Sequence, residues 1–199
     1  MRRFIVFFLI VAISVGIGFG AQSFEEYMIK KNHPLKFTEY VEKYAEEFDI
    51  PKALLYSVIK CESSFDPEAK SRVGARGLMQ LMPKTFEEMA RRQGEEYNEE
   101  LMYDPDTSIR YGSYYLNYLY NIFGDWKLVL AAYNGGMGNV RKWMEDSEYF
   151  DGVKIIKYPK GFGETEQYVE RVTEAEKVYT KLWFNDNKNT YKEDTLNGS

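Results

Sequence analysis

The chain has 199 residues and carries 26 Lys+Arg against 31 Asp+Glu, a net charge of −5, so it lacks the basic footprint that nucleic acid requires. A single Cys forbids any disulfide within the chain, and with a single His it removes zinc clusters, Cys–His pairs and most Ser–His–Asp triads. What remains is carboxylate chemistry, binding without chemistry, or a borrowed cofactor; 44% hydrophobic content with 17 Tyr, 13 Phe and 3 Trp is enough for a packed core.

Met1, Arg2 and Arg3 form a short basic start ahead of an apolar run from Phe4 to Phe19. Gly18 and Gly20 supply the small residues that a cleavage site before Ala21 needs, so residues 1–20 read as an export signal, either cleaved or kept as a membrane tether through 4–20. Residues 21–35 are polar and lysine-bearing, a stem that ends at His33 and Pro34. Apolar residues at Phe37, Tyr40, Val41, Tyr44, Ala45 and Phe48 have helical spacing. Pro51 opens a second helix, which carries Leu54, Leu55, Val58 and Ile59 to Glu62 and halts at Asp66 and Pro67. Ser71 to Gly77 has no clear period and reads as a loop, with room for a small β-hairpin over 71–80.

Pro83 begins an amphipathic helix through Phe86, Met89 and Ala90. After a charged stretch, Asp104 and Pro105 start a long helix through Ile109, Leu116, Leu119 and Phe123. An apolar helix from Asp125 to Tyr133 stops at Asn134, Gly135 and Gly136, and another runs from Asn139 to Met144. Residues 151–163 form an irregular connection to a last helix, Glu164 to Trp183, and 185–199 is a polar tail. The sum is a mainly α fold with one helical domain over 36–184.

Glu62 stands out among the acids. It follows Leu55, Val58 and Ile59 at i+7, i+4 and i+3, so it continues the apolar face of its helix, and it sits near the helix C-terminus where the dipole disfavours negative charge. Both effects raise a carboxyl pKa toward what a general acid needs. The alternative is an ordinary helix-end Glu solvated beside Ser63 and Ser64. The glycines at 74 and 77 and at 135, 136 and 138 read as turns, since neither group has the ending of a phosphate loop.

The segment from Cys61 to Pro83, CESSFDPEAKSRVGARGLMQLMP, resembles the catalytic signature of the soluble lytic transglycosylase family of peptidoglycan enzymes. Asp104 and Pro105 with Ile109, Gly112, Tyr115 and Leu116 resemble its next block. Ala132 to Gly136, with Gly138 to Val140, resemble a third, and Glu164 and Thr165 with Tyr168 and Val169 a fourth. Four blocks in order span roughly 50–180. The resemblance implies a lysozyme-like helical fold, Glu62 as catalytic acid and base, and Ser63, Ser71, Gly77, Gln80, Met82, Tyr133, Asn134 and Glu164 as saccharide-binding or supporting positions. Ser108 and Met137 depart from the family pattern, where Asn and Pro are usual.

The implied partner is the peptidoglycan glycan strand in the bacterial envelope, with no metal or organic cofactor. The implied reaction breaks the β-1,4 bond between N-acetylmuramic acid and N-acetylglucosamine and closes a 1,6-anhydro ring. Two other readings are a hydrolytic muramidase on the same scaffold, which yields a product heavier by one water, and a wall-binding subunit without chemistry.

Overall fold

The computed structural model describes residues 23–185; the signal expected over 1–20 and the tail beyond Asn185 lie outside the described residues. The chain divides into two units, Met1–Pro34 and Leu35–Ser199. In the first, α1 spans 23–32, carries a Lys30–Glu26 ion pair at 2.8 Å and ends with His33 Nδ1 at 2.9 Å from the Ile29 carbonyl oxygen. Most of the expected stem is therefore helical.

The second unit contains α2 (Thr38–Glu47), α3 (Lys52–Ser63), α4 (Pro83–Arg92), a 3-10 turn (Glu99–Met102), α5 (Pro105–Phe123), α6 (Trp126–Gly135), α7 (Met137–Met144) and α8 (Gly163–Trp183). The punctuation is chemical. Asp104 caps α5 by accepting from the Thr107 amide at 2.9 Å and its hydroxyl at 2.7 Å, with Pro105 in the first turn and Gly124 at the left-handed end. Asp125 repeats the device on α6, accepting from Lys127 and Leu128 amides at 2.9 and 3.0 Å.

Among the described residues the loop over 71–80 forms no strand. It has only isolated antiparallel bridges, Lys70 to Arg76 and Arg76 to Leu81. Gly74, Gly77 and Gln80 all take positive φ, and a ladder cannot propagate through backbone that turns left-handed so often.

Helix α3 is the hub. Leu54, Leu55, Tyr56, Val58 and Ile59 are all at 0% exposure, so it is apolar nearly all round, as a central helix must be. Tyr168, Val172 and Tyr179 of α8 belong to the same cluster, and Tyr56 stacks on Tyr179 and Phe184 at 5.5 and 5.9 Å between centroids. A smaller cluster, with Leu81, Phe86, Met89, Met102 and Tyr111, lies under α4. Gly112 lets α5 approach Met79, which brings the 69–82 loop down onto the fold.

Candidate active site

Helix α3 stops at Ser63, and Ser64 and Phe65 both adopt left-handed backbone, φ 54° and 65°. The chain thus swings away directly after Glu62 and leaves its side chain at the open end of the helix. Ser63 does not reach the cleft lining. Its hydroxyl donates to the Ile59 carbonyl at 3.2 Å and accepts from the Phe65 amide at 3.1 Å, which closes the helix end.

Beside Glu62 opens a cleft of about 480 Å³. The 69–82 loop contributes Ser71, Val73, Ala75, Gln80 and Met82; the end of α6 contributes Tyr133, Asn134 and Gly135; the start of α8 contributes Glu164 and Thr165, with Gly161 and Phe162 before it. Burial pushes the Glu62 carboxyl up to about 7, against the smaller opposing pulls of the Tyr168 hydroxyl and the Arg171 charge. The Tyr168 hydroxyl is fully buried and makes no hydrogen bond of good geometry, so it lies near enough to favour the carboxylate without locking it.

The polar groups divide their bonding capacity between fold and cleft. Tyr133 donates its hydroxyl to the Met79 carbonyl at 2.6 Å, and burial, with the Glu62 charge behind it, holds that phenol well above its ordinary pKa. Its oxygen remains as an acceptor. Gln80, at φ 47°, donates its amide to the carbonyls of Ala69 at 3.0 Å and Gly77 at 2.9 Å; the side-chain oxygen is left for a ligand N–H. Ser71 accepts from the Ala75 amide at 2.9 Å and keeps its own proton. Val73 and Met82 form an exposed apolar rim.

The structure therefore brings Glu62, Ser71, Gln80, Met82, Tyr133, Asn134 and Glu164 to one cleft. Gly77 is elsewhere: at φ 72° its missing Cβ would run into the Met102 carbonyl oxygen and come within 2.9 Å of Ser108 Oγ. It serves contact with the 3-10 turn behind the loop, and the expected backbone approach to the cleft is corrected accordingly. Ser108, the departure from Asn, sits buried at this junction and accepts from the Met79 amide at 3.4 Å.

Sequence reasoning missed Val73, Ala75, Phe162 and Thr165 as lining residues and Tyr168 as the neighbour of Glu62. Tyr168 had a signal, four residues after Glu164 on one helix face; Phe162 lies in an aperiodic stretch and had none. Cys61 is free and half-buried against the core. Among the described residues no three His, Cys, Asp or Glu side chains converge to hold a metal.

Residues 39–156 match the model of the family described as "Transglycosylase SLT domain". The soluble lytic murein transglycosylase of Escherichia coli (strain K12) is 33% identical over 156 residues, 76% of this chain and 24% of that protein. The membrane-bound lytic murein transglycosylase C of Pectobacterium atrosepticum is 28% identical over 170 residues, 73% of this chain and 47% of that protein. In the crystal structure of the soluble lytic transglycosylase from Escherichia coli, 25% of that chain superposes on 77% of this one with TM-score 0.68 and 30% identity. The chain thus spans about a quarter of the length of its E. coli relative. With its helical hub, its cleft at the end of α3 and these matches, the chain belongs to the transglycosylase SLT family.

Proposed function

We propose that this chain is a peptidoglycan lytic transglycosylase, which cleaves the β-1,4 bond from N-acetylmuramic acid to N-acetylglucosamine with closure of a 1,6-anhydro ring. The observation that carries the reading is the Glu62 carboxyl, held by burial at about 7 beside the cleft, where it exists in both protonation states near neutrality. Protonated Glu62 gives its proton to the leaving glycosidic oxygen as the bond to C1 breaks. The sugar's own 2-acetamido group stabilises the electron-poor C1, a role that substrate-assisted glycosidases assign to the substrate. The Glu62 carboxylate then takes the proton of the C6 hydroxyl, whose oxygen closes onto C1, and the side chain is protonated again. Tethering gives that hydroxyl a large effective concentration over water. The oxygens of Tyr133 and Gln80 are acceptors suited to orient the acetamido N–H.

Peptidoglycan glycan strands are the substrate in this reading, reached by export of the chain to the cell envelope, with residues 1–20 as signal or tether and 36–184 as the catalytic domain. The presence of Glu164 in the same cleft favours one second reading, a hydrolytic muramidase in which that carboxylate activates water. Digestion of purified sacculi decides between them. Anhydromuramic products keep their mass on borohydride reduction, whereas muramidase products gain two hydrogens. Predominantly reducible ends would overturn the transglycosylase reading, and no release at all would overturn both.

A further inference from the structure

Ser71, Ala75 and Gln80 face the cleft, but Arg76, between them, faces the other way. Its backbone pairs with both Lys70 and Leu81, which makes it the crossing point of the whole 69–82 loop. Its side chain reaches Glu99 of the 3-10 turn and forms an ion pair in which Arg76 is 15% exposed and Glu99 56%. The Tyr103 ring lies 6.0 Å from the guanidinium carbon, and Arg76 Nε is buried without a partner. Gly77 lies against the Met102 carbonyl at the same seam. The stretch that presents Glu99 is itself fastened at its start, where Glu95 accepts from Arg110 Nη2 at 2.7 Å and from the Tyr111 hydroxyl at 2.6 Å.

We propose that Arg76 is a positioning residue: by pairing with Glu99 it clamps the back of the 69–82 loop to the 95–103 strap, and so holds Ser71 and Gln80 at the cleft. The bonds within the loop, such as Ser71 N to Ala75 O at 2.9 Å and Gly77 N to Ala69 O at 2.9 Å, fix its internal shape but not its place against α5. An ordinary surface ion pair contributes little. This one differs because the Arg76 side chain is only 15% exposed and its Nε already lacks a partner, so loss of Glu99 leaves the charge with the Tyr103 ring as its remaining neighbour at this seam.

The inference rests on the proposed transglycosylase activity for its kinetic arm, and a second arm is independent of it. Arg76→Glu, Glu99→Arg and the double reversal are compared with wild type for glycan-strand turnover and for amide exchange across 69–82. Each single reversal is expected to lower kcat/KM about tenfold and to speed exchange in the loop by a similar factor, with helical circular dichroism unchanged; the double variant recovers to within about threefold. Recovery is the readout that a loss of general stability would not produce. Singles that match wild type in exchange, or a double no better than the worse single, overturn the clamp. If wild type cleaves no glycan, the functional reading fails, and exchange alone still decides this proposal.

Discussion

Glu62 owes its proton to where α3 ends. Because its carboxyl is raised from 4.5 to about 7 by burial, kcat/KM for glycan cleavage is expected to fall above pH 7, about tenfold per pH unit, as the acid form is lost. Glu62→Gln keeps the shape and removes the proton; cleavage should drop by about 10²–10⁴-fold with the helical spectrum intact. The same group links pH to stability. A folded-state pKa above the unfolded value stabilises the fold fully below about 4.5, and that contribution is lost as pH rises through about 7. Wild type should therefore lose up to about 3 kcal/mol relative to Glu62→Gln between pH 4 and 8, read from denaturant midpoints; parallel pH curves would show that the carboxyl is not shifted. The acid was legible in the sequence because it continues the spacing of Leu55, Val58 and Ile59. Its neighbour was legible only in part: Tyr168 shares a face of the last helix with Glu164, but no local pattern says that this helix packs beside Glu62.

At the level of elements, helices with capping chemistry were the readable part. Asp104 with Pro105, Asp125, and Pro83 each begin a helix within a residue of where their type predicts. The 69–82 loop was readable only as an absence of period, because its shape comes from scattered left-handed residues and from a partner, the 3-10 turn, that no spacing announces. Gly77 shows the cost of that shape. Gly77→Ala would strain a φ of 72° and drive a methyl into the Met102 carbonyl, so a loss of about 2–4 kcal/mol is expected. A lowered denaturant midpoint at unchanged slope would register it; an unchanged midpoint would mean that the strap yields freely.

For the whole molecule, the family match ends at residue 156, yet α8 begins at Gly163 and supplies Glu164, Thr165 and the buried Tyr168. Burial of Tyr168, Val172 and Tyr179 alone is worth about 5–9 kcal/mol, comparable with the entire stability of a typical domain. A chain ended at residue 156 should show no cooperative melting transition; a sharp one would prove α8 dispensable to the fold. The hub helix and the helix that covers it lie at opposite ends of this unit, with every other cleft-forming segment between them. A chain threaded N-terminus first, from a ribosome or through a membrane channel, therefore has its acid early and its cleft last. Until α8 has emerged, Glu62 faces no assembled cleft, so the order of helices along the chain postpones the site to the end of synthesis.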